Sequence, residues 1–187
     1  VKKIPTLFVR NSSDRSLVTD EIAVPLDVYR AIKERGIARR KWDGTCCMVR
    51  DGVLLKRYTH KVGRGEPPFQ FEPATEVDPV TGKQEGWLPV SSDDPADDWH
   101  REALRAHFGI PPDGTYELVG PKVQGNPEKC QGHALVRHAS TETLIVDDLT
   151  VEGLRDQLAV LDWEGLVFYL GDQPVAKIKK RDLGLER

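Results

Sequence analysis

The sequence predicts an α+β fold of antiparallel sheets with few helices, and three observations predict it. Short runs rich in β-branched and aromatic residues recur along the chain, bounded by Gly, Asp or Pro. Two pairs of these runs meet at two-residue turn signals, Asp51-Gly52 and Gly171-Asp172, which join neighbouring antiparallel strands. Only three stretches carry a helical stripe, as in an α+β layout.

In chain order, residues 26–35 read as a short helix with Leu26, Tyr29 and Ile32 on one side. Residues 37–42 and 45–50 read as strands around an Asp43-Gly44 turn, where Gly44 permits backbone that other residues resist. A further strand, Val53 to Arg57, follows Asp51-Gly52. Residues 64–94 are rich in Pro, Gly and acids and read as a long, loop-rich insertion. Trp87 is costly to expose, so part of that insertion is expected to fold back as a lid. Asp94-Pro95 starts a helix to about His107, with Trp99, Ala103, Leu104 and Phe108 as its apolar stripe. Strands are expected at 115–119, 133–138 and 143–147. Thr150 caps a helix through about Leu161 that turns Leu154, Leu158 and Leu161 inward. Residues 164–170 and 174–179 then form the last hairpin.

A length of 187 residues suits one domain, 1–187, with room for a core. The hydrophobic fraction of 39% is ordinary for a soluble globule. No apolar run approaches the ~20 residues of a membrane span, and the opening Val1-Lys2-Lys3-Ile4-Pro5 lacks the apolar stretch of a signal peptide. The three cysteines, Cys46, Cys47 and Cys130, show no C-x-x-C spacing. They are expected to be reduced thiols of a cytoplasmic protein, with one of Cys46 and Cys47 packing inward. The net charge is −3, yet it is unevenly spread. Residues 66–102 hold ten acids against Lys83 and Arg101, a segment of −8 that leaves +5 for the rest of the chain. The basic clusters are Lys33 to Lys41, Lys56 to Arg64 and Lys177 to Arg181. A basic cleft with acids elsewhere suits phosphate binding.

The basic clusters flank five strings in a fixed order: Lys41-Trp42-Asp43-Gly44-Thr45, Lys56-Arg57-Tyr58, Tyr116-Glu117-Leu118-Val119-Gly120, Glu164-Gly165-Leu166-Val167 and Lys177-Ile178-Lys179. Each alone is bland: a Lys-x-Asp-Gly is commonly a hairpin turn, and a basic run is commonly a solvated face. Together they resemble motifs I, Ia, III, IV and V of the covalent nucleotidyltransferases, the superfamily of ATP-dependent polynucleotide ligases and mRNA capping enzymes, across about residues 35–185. Further strings are Gly44-Thr45-Cys46-Cys47, Gly86-Trp87-Leu88-Pro89-Val90, Glu117 to Gly120 running to Gly125-Asn126-Pro127, and Asp182-Leu183-Gly184-Leu185. They resemble the small ATP-dependent 5′–3′ RNA ligase family known from vertebrates and with bacterial relatives.

The resemblance implies a two-sheet adenylation domain (ATP-grasp-like), with ATP bound between the sheets and no OB domain. It implies that Lys41 takes AMP from ATP, releases pyrophosphate, and passes AMP to an RNA 5′-phosphate that is then joined to a 3′-hydroxyl. A lysine with an ordinary pKa near ~10.4 must first lose a proton, and nearby positive charge and partial burial both favour that. By the same resemblance Asp43 orients the lysine or sits near Mg²⁺ or Mn²⁺, and Glu164 lies at the metal. Arg57 touches sugar or phosphate, Glu117 accepts from the ribose, and Lys177 and Lys179 bracket the α-phosphate. Lys61, Arg64, Lys180 and Arg181 form the expected RNA track and the candidates for orienting pyrophosphate. Arg39 and Arg40 depart from the acidic or small residues that many ligases carry before the lysine. The aromatic that stacks on the base in other ligases is not evident; a His or aliphatic face from His133, Leu135 and His138, or else Trp42 or Trp87, is the candidate. The lack of an OB domain after motif V favours a stand-alone RNA ligase over a GTP-using capping guanylyltransferase. The lack of an NAD-binding module before motif I favours ATP over NAD. A catalytically inactive RNA-end-binding module is the reading from another class, and the presence of Lys41, Glu117, Glu164 and Lys177 opposes it.

Overall fold

The computed structural model describes residues 3–186 and is α+β, with three α-helices and mostly antiparallel sheets. In chain order the elements are β1 (Phe8–Arg10), β2 (Val18–Ile22), α1 (Leu26–Arg35), β3 (Ile37–Lys41), β4 (Thr45–Arg50), β5 (Val53–Lys61), β6 (Glu72–Pro73) and β7 (Lys83–Pro89). Then come α2 (Asp98–Ala106), β8 (Gly114–Val119), β9 (Ala134–Arg137), β10 (Thr143–Leu144), α3 (Val151–Ala159), β11 (Gly165–Leu170) and β12 (Gln173–Lys179). These elements gather into two compact units, one of residues 43–140 and one of residues 3–42 with 141–186.

The second of these units holds the four-stranded sheet β10-β3-β11-β12 and the β1-β2 pair. Alternation along its strands sorts two faces. Ala38, Leu166, Phe168, Ala176 and Ile178 point to a core shared with Ile32 of α1 and with Leu154 and Leu158 of α3. Helix α3 starts where the sequence predicts, because Thr150 Oγ1 accepts from the Gly153 N–H at 3.1 Å. In α1, Ile32 is buried but Leu26 is 53% exposed, since it sits in the first turn beyond the reach of the sheet. Residues 5–7 run parallel to the edge of β12: the Lys177 N–H donates to Pro5 at 2.9 Å and the Leu7 N–H to Lys177 at 2.8 Å.

The other unit is the six-stranded sheet β6-β7-β5-β4-β8-β9, with α2 against it. Its core is Cys47, Val49, Leu54, Ala103, Tyr116, Leu118, Val123 and Leu135. Cys47 is buried and Cys46 half-buried, as the strand alternation predicts.

Three expectations are corrected. Strands β3 and β4 lie in different sheets, so Asp43-Gly44 does not close a hairpin. Gly44 is not in the left-handed region either; a Cβ there would meet the Leu118 carbonyl oxygen at 2.1 Å. The 64–94 insertion contains β7, which pairs with β5 from Lys61↔Lys83 to Leu55↔Pro89. Trp87 is therefore a buried sheet residue opposite Arg57, not the anchor of a lid. Phe108 falls beyond the end of α2 and is fully exposed, because the helix stops at Ala106.

A tryptophan on a lid contributes little to global stability, whereas one buried in a sheet contributes much. Trp87→Ala is therefore expected to lower unfolding stability by about 3 kcal/mol or more. Urea denaturation followed by far-UV circular dichroism measures it, and an unchanged midpoint would return Trp87 to a peripheral role.

Candidate functional site

Register brings three of the sequence strings into one row. Lys41 on β3 stands opposite Gly165 on β11, which stands opposite Lys179 on β12. The next row of the same face is Arg39, Val167 and Lys177. One face of this sheet is thus largely apolar and packed, with Arg40 at its end opposite Leu166, and the other carries four cations. Gly165 at the centre of the row has no room for a side chain, since a Cβ would meet the Ile178 carbonyl oxygen at 2.1 Å.

Glu164, one residue before β11, is the anion of this face. Its Oε2 accepts from Lys41 Nζ and its Oε1 from Lys179 Nζ, so both oxygens are taken by ammonium groups. Lys41 Nζ also donates to the Trp42 carbonyl at 3.2 Å. The carboxylate is 8% exposed. Burial opposes its ionisation, but Lys41 and Lys179 outweigh burial and hold its pKa below the usual range. Lys177 is brought down to about 8, first by burial and then by Lys179, Lys41 and Lys3. Three ammonium groups thus contend for one carboxylate.

Asp182 is not among the site residues that the motifs point to, yet it braces this face. It is 1% exposed, accepts from the Lys179 N–H at 3.0 Å through Oδ2 and pairs with Arg10 at 3.0 Å through Oδ1. Its signal in the sequence is the Asp182-Leu183-Gly184-Leu185 string, in which Gly184 takes a left-handed φ of 73°. Lys180 is 7% exposed and offers little surface to a nucleic-acid strand, while Arg181 is exposed.

The remaining expected residues lie in the six-stranded unit. Glu117 on β8 accepts from the Gly44 N–H at 3.1 Å. Its other oxygen lies 3.0 Å from His138 Nε2, whose Nδ1 lies 3.0 Å from Thr115 Oγ1. His138, a candidate base-stacking ring in the sequence, here orients a carboxylate. The Asp43 N–H donates to Glu128 at 2.8 Å. Arg57 pairs with Glu85 at 3.0 Å, and Lys61 and Arg64 are exposed. The other candidate rings already have neighbours: His133 stacks on Trp99 at 4.8 Å, and in the four-stranded unit Arg40 lies over Trp42 at 3.7 Å.

Glu164 fits a divalent cation that arrives with a nucleotide, since Mg²⁺ is commonly held through one or two carboxylates plus substrate phosphates. Such a cation competes with an ammonium group for Glu164. Among the described residues no group of three or more His, Cys, Asp or Glu side chains is arranged to hold a metal. Among the described residues no helix is long and apolar enough to cross a membrane. No protein-family model matches the sequence, and no curated protein is significantly similar to it.

The Lys177 shift has a defined sign. Its pKa falls from 10.5 in the unfolded chain to about 8 in the folded one. The folded protein therefore binds fewer protons between these values, and stability rises with pH across that window. Charged Lys177 costs stability below about pH 8, and the cost fades toward pH 10.5. Lys177→Met is expected to be more thermostable than the wild type at pH 7.5, with the gap closing toward pH 10.5. Thermal unfolding of both proteins across this range measures it.

Proposed function

We propose that this chain is an ATP-dependent RNA ligase that works through a lysyl-AMP intermediate on a nucleotidyltransferase adenylation fold. The observation that carries the reading is the Lys41–Glu164–Lys179 cluster, made from residues 123 and 15 positions apart in sequence. Three of the five ordered motifs converge on one polar face of one sheet. The convergence supports chemistry on an anion, because a surplus of ammonium groups around a single carboxylate is costly without one.

In the first step the free amine of Lys41 attacks the α-phosphorus of ATP. An N–P bond forms, the bond from that phosphorus to its bridging oxygen breaks, and pyrophosphate leaves with the electron pair. Glu164 is held ionised, so it orients Nζ and is a weak acceptor for the proton, which passes to water. Lys177 and Lys179 offset the charge that grows on the phosphoryl oxygens. A metal ion bound with ATP supplies Lewis-acid polarisation of the phosphates. In the second step an oxygen of an RNA 5′-phosphate attacks the same phosphorus, the N–P bond breaks, and Lys41 regains a proton. In the third a 3′-hydroxyl attacks the activated 5′-phosphate, the phosphoanhydride bond to AMP breaks, AMP leaves with the electron pair, and the hydroxyl proton passes to water. Glu117 and Arg57 are proposed to meet the nucleotide from their places in the motif order, with His138 positioning Glu117.

Incubation with labelled ATP and Mg²⁺ is expected to give an acid-labile AMP adduct on Lys41, read by intact-mass spectrometry. Lys41→Arg is expected to abolish it, since arginine stays protonated and cannot attack. An adduct of unchanged yield on Lys41→Ala would overturn the assignment, and an adduct with GTP alone would point to a capping enzyme. Pre-adenylated RNA bypasses the first step, so Lys41→Ala is expected to seal it while Glu164→Ala seals it slowly. Sealing by Glu164→Ala at the wild-type rate would confine Glu164 to the first step.

Lys61 and Arg64 are the exposed cations proposed for RNA. Lys61→Ala with Arg64→Ala is expected to weaken RNA binding and to flatten the log–log salt slope by about 0.7 for each phosphate that is no longer neutralised. Fluorescence anisotropy over a salt series reads both.

A further inference from the structure

The four-stranded unit contains a cavity of about 420 Å³ whose wall carries six cations: Lys3, Arg10, Arg15, Lys177, Lys179 and Arg181. Among the described residues no carboxylate lines it. Three of the six come from residues 3–15, a stretch that none of the ordered motifs reaches. Lys177 and Lys179 belong both to this wall and to the face that holds Lys41.

The wall is held in place by backbone. Residues 5–7 are hydrogen-bonded along β12 on both sides of Lys177, at 2.9 and 2.8 Å. Arg10 is fixed at two points: one terminal nitrogen pairs with Asp182 at 3.0 Å, and the other donates to the Arg15 carbonyl at 2.8 Å. That second bond holds the loop carrying Arg15 against the strand carrying Arg10. The cations are thus gathered before any ligand arrives, and their mutual repulsion is tolerated because the chain is tied on both sides.

We propose that this cavity receives the β- and γ-phosphates of ATP and holds the departing pyrophosphate, with Lys3, Arg10 and Arg15 as binding residues. The inference rests on the ligase reading above. A polyphosphate packs several negative charges into adjacent tetrahedra, which suits a compact wall of many cations. A single RNA strand spreads one charge per nucleotide and suits a longer track. The arginine forks match phosphate oxygens in pairs, and cations at the leaving group stabilise charge that appears only as the bond breaks. The site lies beside the lysines already assigned to the α-phosphate, so one run of positive charge would span the whole triphosphate.

Isothermal titration of the full chain with inorganic pyrophosphate tests this without any turnover. Lys3 and Arg15 are exposed, so replacing them leaves the core intact. In the Lys3→Ser, Arg15→Ser double variant, pyrophosphate affinity is expected to fall about tenfold or more, a loss of about 1.4 kcal/mol. The KM for ATP in adduct formation is expected to rise by a similar factor, while sealing of pre-adenylated RNA, which involves no pyrophosphate, keeps its rate. If the wild type forms the AMP adduct but does not bind pyrophosphate, the cavity assignment is overturned and the ligase reading stands. If pyrophosphate binds and the double variant loses it, yet no adduct forms with ATP, the anion site stands and the ligase reading falls. If the double variant slows sealing of pre-adenylated RNA and keeps pyrophosphate affinity, the cavity holds RNA phosphate and the proposal is wrong.

Discussion

A single buried carboxylate shared by two ammonium groups organises the polar face of the four-stranded sheet. Burying Glu164 is unfavourable by itself, and burying Lys41 or Lys179 beside it without a partner would be worse. The three are tolerable only together, and they come together only in one strand register. A slip of β3 by one residue would turn Arg39 toward Phe168 in the core and present Ala38 to the cations. The apolar packing of the opposite face therefore enforces the charge arrangement, and the charge arrangement penalises the wrong register. Gly165 completes this dependence, because the sheet leaves no space for a Cβ between Lys41 and Lys179.

Local signals are legible in the sequence, whereas the choice of pairing partner is not. Helix α3 and the β11–β12 hairpin are readable because their signals are local: a threonine cap, leucines at helical spacing, and a Gly-Asp turn with Gly171 at a φ of 58°. The partition of β3 and β4 into different sheets is not, since a strand pattern states which face is apolar and not which neighbour it pairs with. Strand β7 is hidden because Lys83–Pro89 mixes charge, Gly and Pro. Gly86 in particular reads as a loop residue, although it is there because Phe71 and the Glu72 carbonyl pass within 2.4 and 2.3 Å of where its Cβ would be. Strands β1 and β2 are short and half polar, and nothing in their pattern announces them.

The candidate site divides along similar lines. The order of the motifs names Lys41, Glu164, Lys177 and Lys179, but only the register of β3, β11 and β12 makes them neighbours. His138 beside Glu117 and Arg10 beside Asp182 cannot be found by spacing, because the chain brings each partner up from elsewhere. Arg10 and Arg15 are invisible for another reason. Scattered arginines near the start of a sequence look like solvated charge until the strap at residues 5–7 is seen tied to β12.

The charge on this face is also adjustable. Lys179 is in direct contact with Glu164. Lys177 has burial and three other lysines working against its charge, so near pH 8 it holds its proton only partly. An arriving phosphate reverses that balance, because an anion nearby favours the ammonium form. Lys177 then presents full charge when an anion occupies the face and less when it is empty. The empty face avoids part of the cost of crowded cations, and the occupied face recovers their attraction. A sheet that packs apolar side chains on one side and strands a half-buried lysine on the other is sufficient to produce this behaviour, with no moving segment required.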